Sequence, residues 1–147
     1  LNLQGRTYMF PIQCPFRFAD KVLEEFTDER HLVFVDFHAE ATAEKIALGW
    51  HLDGKVSAIV GTHTHVQTAD ERVLPQGTAY ITDAGMTGAH DSVIGMRIEP
   101  AINRFIYQTP HKFEVATKNL RLNGVIIQLD KTTGKATAIS RVNEGLA

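Results

Sequence analysis

The stretch Val56-Ser57-Ala58-Ile59-Val60-Gly61-Thr62-His63-Thr64-His65 decides the architecture of this chain and points to its chemistry. Residues 56–60 form a short apolar run rich in β-branched side chains, which predicts a buried strand. Two histidines then follow, two residues apart, just beyond the predicted end of the strand. Because α/β sheets bind ligands beyond the carboxyl ends of their strands, the stretch predicts a ligand site at that edge.

A second strand is predicted at residues 32–37, and it leads directly into His38. The two strands are separated by a segment with helical spacing of apolar residues. A right-handed crossover through that helix would make the strands parallel and adjacent. We therefore expect the imidazoles of His38, His63 and His65 to converge on one edge of the sheet.

The rest of the chain divides into short helical and extended segments. Helices are predicted by apolar spacing, by a cap or by a proline in the first turn, and strands by β-rich or alternating runs. The first expected helix spans 18–27, with the apolar face Ala19, Val22, Leu23 and Phe26. The second begins at 43, with the apolar face Ala43, Ile46, Ala47 and Trp50, Thr42 as its N-cap and Gly54 past its end. A strand at 78–82 follows a turn at 75–77, a third helix holds Pro100, Ile102, Phe105 and Ile106 and stops before Pro110, and residues 122–130 form a hairpin with 135–142. This order predicts an α/β sheet with helices on its faces.

One long irregular segment, residues 83–96, contains Gly85, Gly88 and Gly95. It is too long for a simple connection, and long ordered loops in compact domains are often functional. Its expected roles are to shape the substrate pocket or an oligomer contact.

Length, charge and cysteine content limit the classes of function that this chain can have. The chain has 147 residues, enough for one domain, and a net charge of −2, which gives no electrostatic reason for a nucleic-acid or polyanionic-membrane partner. No apolar run approaches the roughly 20 residues that span a bilayer, and no signal peptide is visible. Cys14 is the single cysteine, which excludes an internal disulfide and favours the cytoplasm. Leu1 begins a segment that resembles the end of a strand, so we expect part of a longer protein.

Imidazole is a borderline ligand for zinc, iron, manganese and nickel, and Gly61 would let the backbone turn so that both following rings face an ion. The alternative is that His63 and His65 are loop residues with ordinary hydrogen bonds. Three imidazoles with an open position suggest zinc but do not name a reaction. The remaining histidines are interpreted as solvated or structural: His31, His51, His90 and His111.

Several longer stretches carry a specific resemblance that covers nearly all of the chain. They are Val35-Asp36-Phe37-His38-Ala39-Glu40-Ala41-Thr42, Glu44-Lys45-Ile46-Ala47, Val60-Gly61-Thr62-His63-Thr64-His65-Val66-Gln67-Thr68-Ala69-Asp70, Gly77-Thr78-Ala79-Tyr80-Ile81-Thr82-Asp83 and Gly85-Met86-Thr87-Gly88. They resemble the bacterial YmdB-type metallophosphoesterases of the calcineurin-like superfamily. That superfamily has an isolated metal-binding histidine and a Gly-x-His-x-His run, and in Gly61-Thr62-His63-Thr64-His65 the residue between the glycine and the first histidine is Thr62.

The resemblance implies a calcineurin-like sandwich of mixed sheets flanked by helices and two divalent metal ions, Fe, Mn or Zn. It implies that His38 and His63 bind one metal and His65 the other. The implied reaction is hydrolysis of small phosphoesters, 2′,3′-cyclic nucleotides above all, by a hydroxide that the metal pair activates. Phe37, Glu40 and Thr64 neighbour these histidines and are expected to support the ligands or the substrate.

The resemblance also shows what these residues lack. In the family an early half supplies an Asp ligand, a bridging Glu and an Asn-His pair whose His protonates the leaving group, and no stretch here matches them. Residues 1–147 are therefore interpreted as the C-terminal portion of one metallophosphoesterase domain, with no catalytic acid of their own and with a homo-oligomer expected. Two alternatives stay open: a non-catalytic metal-binding half-domain or assembly module, and a capsule-synthesis-type relative of the same superfamily.

Overall fold

The computed structural model describes residues 1–26 and 32–146, and these form an α/β fold with mixed sheets. In chain order the elements are β1 (Asn2–Gln4), α1 (Pro15–Glu24), β2 (Phe34–His38), α2 (Thr42–Leu52), β3 (Ala58–Thr62), β4 (Arg72–Val73), β5 (Ala79–Ile81), β6 (Gly88–Ala89), α3 (Ile98–Tyr107), β7 (Leu120–Leu129) and β8 (Ala136–Gly145). The predicted α/β organisation is confirmed. Strand β1 lies in the opening segment that resembles the end of a strand, whereas β4 and β6 were not predicted.

The strands form two sheets. The larger has the order β1-β2-β3-β5-β4, in which β4 alone is antiparallel to its neighbour. The smaller is antiparallel, in the order β6-β7-β8, and contains the predicted hairpin. The predicted parallel pairing of β2 with β3 is confirmed, and it sets His38 opposite Thr62. The carboxyl ends of both strands therefore meet at one edge.

Each face of the larger sheet has its own apolar cluster. Alternate side chains of β2, β3 and β5 pack with the two first helices, since Val35, Phe37, Ile59 and Tyr80 share a cluster with Leu48. On the opposite face the hairpin packs through Ala136, Ile127, Leu129 and Ile139 against the small side chains of Ala58 and Ala79. Period-2 alternation thus distributes the strand residues between a helix layer and a second sheet.

The first helix begins and ends earlier than predicted. Pro15 occupies its first turn, where a proline needs no hydrogen-bond partner for its nitrogen, and the helix ends at Glu24. The predicted end at Thr27 lies outside the described residues, as does His31. The predicted face is supported by Ala19, which is fully buried.

The second helix was predicted correctly, but its cap and its buried face were wrong. Ala41 is the N-cap, and Thr42 is already helical. The buried residues are Lys45, Leu48, Gly49 and Leu52, whereas Trp50 is 51% exposed. The predicted face and the buried face both have the i, i+3, i+4, i+7 spacing. The buried face was not recognised from the sequence because it contains a lysine. The helix ends before Gly54, which has a φ of +80°, as the sequence predicted.

The third helix has Pro100 in its first turn and ends before Pro110, as predicted. Its apolar residues do not face the core: Ile102, Phe105 and Ile106 are exposed, and Ala101 is its one buried residue. In the parts of the chain that the structure describes, no helix is long and apolar enough to cross a membrane.

Candidate metal centre

Two of the three predicted ligand histidines lie in direct contact at the shared edge of β2 and β3. His38 is the last residue of β2, and His63 follows the last residue of β3. His38 Nε2 lies 2.9 Å from His63 Nδ1, and the ring planes are inclined by 87°. The pairing of the parallel strands therefore brings together two imidazoles that are 25 residues apart in the chain.

Nδ1 of His38 contacts the hydroxyl of Thr62, which already donates its own proton to another residue. His38 Nδ1 lies 3.2 Å from Thr62 Oγ1, and that hydroxyl donates to Asp36 Oδ1 at 3.0 Å. The other oxygen of Asp36 accepts from Asn2 Nδ2 at 2.8 Å. Thr62 Oγ1 must therefore accept from His38, which assigns the ring proton to Nδ1 and leaves a lone pair on Nε2.

The outer nitrogen of His63 contacts a carboxylate. His63 Nε2 lies 2.9 Å from Glu40 Oε2, so the proton of a neutral His63 belongs on Nε2 and its Nδ1 carries a lone pair. The lone pairs of His38 Nε2 and His63 Nδ1 then face each other across 2.9 Å, which is repulsive unless the two nitrogens share a proton or both bind one metal ion. Histidines that bind metal ions typically donate a hydrogen bond from their second ring N–H in this way.

His65 lies apart from this contact but shows the same pattern. Its Nδ1 is 3.0 Å from the carbonyl oxygen of Ile94, which can only accept, so Nε2 carries the lone pair. Ile94 belongs to segment 83–96, the loop for which a functional role was predicted. That loop therefore contributes to the neighbourhood of the candidate ligands.

The backbone around these histidines is strained. His63 has a φ of +108° and His65 a φ of +66°, values that side-chain-bearing residues rarely adopt. Strain of this kind persists only where surrounding contacts impose it, and it clusters at functional sites. The prediction that Gly61 provides the turn was wrong. Gly61 lies within β3, and a Cβ there would stand 1.7 Å from the carbonyl oxygen of Thr82, so it is needed for close strand approach.

Residues 1–26 and 32–146 contain no group of three or more His, Cys, Asp or Glu placed to hold a metal ion. The imidazoles fit part of a metal centre. The unprotonated nitrogens of His38 and His63 face each other, and His65, two residues further along the chain, also has an unprotonated nitrogen. What the arrangement lacks is a carboxylate that could join two ions.

The neighbours expected to support the ligands have different surroundings. Glu40 contacts His63, as described, and its backbone N–H lies 3.3 Å from Met9 Sδ. Thr64 donates from both its backbone N–H and its hydroxyl to Asp83 Oδ2, at 3.0 and 2.8 Å. Phe37 is fully buried in the helix-side cluster, so it packs in the core beneath the site.

A buried ion pair lies behind the histidine loop, and the sequence did not predict it. Lys45 Nζ donates to Asp83 Oδ2 at 2.9 Å, and the two side chains are 1% and 0% exposed. Burial raises the pKa of Asp83, but hydrogen bonds from Lys45, Gly85 and Thr64 outweigh it and hold that pKa below its usual range. The available signal was Lys45 on the same helical face as Leu48 and Leu52.

The other described histidines take part in separate contacts. His51 Nε2 lies 2.8 Å from Asp20 Oδ2, and His90 Nε2 lies 3.1 Å from the carbonyl oxygen of Met86. His111 is near the hydroxyl of Thr109, at 3.2 Å, in an exposed loop. These contacts agree with the structural roles predicted for them.

Comparison with known proteins identifies the family. The family model described as YmdB-like protein matches residues 1–142, so the chain belongs to the YmdB-like family and the resemblance is confirmed. A relative from Bacillus subtilis (strain 168), named 2′,3′-cyclic-nucleotide 2′-phosphodiesterase, is 54% identical over 142 residues, which are 97% of this chain and 54% of that protein. The chain spans about half the length of the curated relatives it matches.

Two solved structures share the fold. A hypothetical protein from Thermus thermophilus superposes with a TM-score of 0.92 at 41% identity, covering 99% of this chain and 56% of that one. A novel phosphatase from Mycoplasma pneumoniae superposes with a TM-score of 0.90 at 39% identity, covering 98% and 52% respectively.

Proposed function

We propose that this chain supplies the histidine half of the site of a metal-dependent phosphodiesterase that hydrolyses small phosphoesters, 2′,3′-cyclic nucleotides foremost. One observation carries the proposal: His38 Nε2 and His63 Nδ1 face each other at 2.9 Å while oxygen acceptors engage their outer nitrogens. The name of the Bacillus subtilis relative supports the substrate class.

The proposed cofactors are two divalent ions, Fe, Mn or Zn, with His38 and His63 holding one and His65 the other. When bound, such ions supply charge stabilisation for the phosphate and an activated water at neutral pH. The contribution of this chain is to bind and orient. Glu40 fixes the orientation of the His63 ring, and Thr62 does the same for the ring of His38. Phe37 supports the end of β2 from below.

We further propose that the bridging carboxylate and the general acid lie outside these 147 residues, in the part of the relatives' length that the chain does not match. The fold would then be the C-terminal portion of one calcineurin-like sandwich, whose two layers correspond to the sheets described above. The exposed face of β2, where Phe34 is 48% exposed, supports this interpretation.

A homo-oligomer with a small phosphoester as its ligand, located in the cytoplasm, completes the proposal. The net charge of −2 argues against a nucleic-acid partner, and the single cysteine agrees with a reducing compartment.

The second candidate is a non-catalytic metal-binding half-domain or assembly module. It is favoured by the lack, in the described residues, of a three-member His, Cys, Asp or Glu group. The family match favours both of these over a capsule-synthesis-type relative.

The test replaces His63 and His65 singly by alanine in the native protein, with His111→Ala as the matched control because His111 lies in an exposed loop. Metal content is measured by mass spectrometry and hydrolysis with 2′,3′-cyclic AMP. We expect both substitutions to lower metal content and abolish hydrolysis while the circular dichroism spectrum is preserved. Retained hydrolysis in either variant would overturn the assignment, and metal binding without any hydrolysis by the wild type would support the half-domain.

A further inference from the structure

The buried pair of Lys45 and Asp83 is unusual because stability alone gives little reason for it. Lys45 lies on the core face of α2 among Leu48, Gly49 and Leu52. Removing two charges from water costs much of what their attraction returns, and apolar residues of similar volume often serve equally well. The residues that contact the pair indicate a further role.

Asp83 accepts hydrogen bonds from Thr64, the residue that separates the two strained histidines. Its Oδ2 accepts from the backbone N–H and the hydroxyl of Thr64, and its Oδ1 accepts from the N–H of Gly85 at 2.9 Å. Thr64 stands between His63 and His65, both of which have positive φ. Two hydrogen bonds to one carboxylate oxygen therefore fix the middle of the His-Thr-His segment.

Lys45 connects this anchor to the rigid body of the fold. It projects from α2, which packs on the sheet through Leu48 and Leu52. Its aliphatic stem passes the end of β3, since a Cβ on Gly61 would stand 3.2 Å from Lys45 Cδ. Its ammonium group keeps Asp83 ionised in the core, so the carboxylate can accept all four hydrogen bonds at once.

We propose that the Lys45–Asp83 pair is a positioning device: it clamps Thr64 so that His63 and His65 hold their strained conformations and present their free nitrogens to metal ions. The inference rests on the proposed metal centre and adds to it Lys45 and Asp83, two residues that act through Thr64 without touching an ion. Without the clamp, the backbone at both histidines would relax toward ordinary φ values, and the two rings would lose their directions together.

The test uses Thr64→Val, which keeps the shape of the side chain but removes the hydroxyl, and Thr64→Ser, which keeps the hydroxyl. The probe is Co²⁺, whose visible absorption reports its coordination, titrated into the metal-free native protein in competition with a chelator. We expect Thr64→Val to bind Co²⁺ about tenfold or more weakly with an altered spectrum, and Thr64→Ser to stay within about threefold of the wild type. Thr133→Val, in the exposed hairpin turn, is the control.

The melting temperature of the metal-free protein separates positioning from a purely structural role. Positioning predicts weaker Co²⁺ binding by a variant that is still folded at the assay temperature. If Thr64→Val does not fold, the double variant Lys45→Met/Asp83→Asn carries the same test, because it leaves no unpaired buried charge. Unchanged Co²⁺ affinity and spectrum in a folded variant would overturn the proposal, whereas a wild type that binds no Co²⁺ would overturn the proposed metal centre itself.

Discussion

At the scale of single residues, Gly61 lies where the backbone leaves no space for a side chain. A Cβ at this position would stand 1.7 Å from the carbonyl oxygen of Thr82, where β3 and β5 lie side by side. Backbone cannot move aside as a flexible side chain can, so Gly61→Ala must separate the strands. We expect the free energy of unfolding in urea to fall by at least about 2 kcal/mol.

Gly124→Ala provides the matched control for that measurement. Gly124 also lies in a strand, but a Cβ there would meet nothing within 4 Å. Its replacement should leave stability unchanged or raise it by about 0.4 to 1 kcal/mol, because alanine has less freedom to lose on folding. Equal effects of the two substitutions would contradict the steric argument.

Tyr80 gives a prediction for alkaline pH. Burial raises the pKa of its phenol from 10.0 to about 12. A raised folded-state pKa means that the associated stability is complete below about pH 10 and is lost as the pH rises toward 12. The unfolding free energy of the wild type should therefore fall more steeply over this interval than that of Tyr80→Phe, by up to about 2 to 3 kcal/mol.

The control for that titration is Tyr107→Phe, since the Tyr107 ring is exposed on α3. Chemical denaturation followed at a series of pH values gives the three curves. Parallel curves for the wild type and Tyr80→Phe would show that burial of the Tyr80 phenol does not govern this range.

At the scale of elements, the sequence predicted what local periodicity encodes. The β-rich runs of β2 and β3, the helical spacing of α1 and α2 and the Gly134 turn each carry a local signal, and each element exists. Strands β4 and β6 have two residues each, too few for any period, and they exist because β5 and β7 offer them hydrogen bonds.

The same contrast holds for the candidate site. The contact of His38 with His63 could be predicted because each histidine lies at the carboxyl end of a strand, and adjacent parallel strands end at one edge of the sheet. Lys45 and Asp83 could not, since 38 residues separate them and a lysine is expected in solvent until its partner is known. Long-range polar pairing leaves no periodic trace in the sequence.

Besides its apolar contacts with the larger sheet, the hairpin of β7 and β8 receives hydrogen bonds from the side chain of Gln67. Gln67 Nε2 lies within hydrogen-bond distance of three carbonyl oxygens, those of Ala84 at 3.1 Å, Gly124 at 3.0 Å and Val142 at 3.0 Å. Gln67→Ala removes this donor and leaves acceptors at a half-buried site. We expect a loss of about 1 to 3 kcal/mol, with faster amide hydrogen exchange concentrated in β7 and β8.

Gln128→Ala is the control for this element, because Gln128 belongs to the same hairpin and lies on its solvent side. Both variants are compared by thermal unfolding and by exchange followed with mass spectrometry. Uniform acceleration across the whole chain in Gln67→Ala would mean that the side chain supports global stability and not the docking of the hairpin.

At the scale of the whole molecule, the apolar surface is distributed unevenly. The helix side of the larger sheet is closed, whereas the hairpin covers only part of the opposite face. Phe34 is 48% exposed there, and Tyr8, in the loop after β1, is 90% exposed. Among the described residues β1 has one neighbour, so its outer edge is open to pairing. Open edges and contiguous apolar surface are the features by which chains associate.

Residues 1–147 produced by themselves should therefore associate, and the face of β2 is the surface on which we expect them to do so. Sedimentation velocity at several concentrations should show species larger than the monomer. Phe34→Lys places a charge on that face and should shift the distribution toward monomer, whereas Ile106→Lys, on the exposed side of α3, should not. The opposite pattern would assign association to α3, and a wild type that stays monomeric at every concentration would show that the uncovered face is tolerated in water.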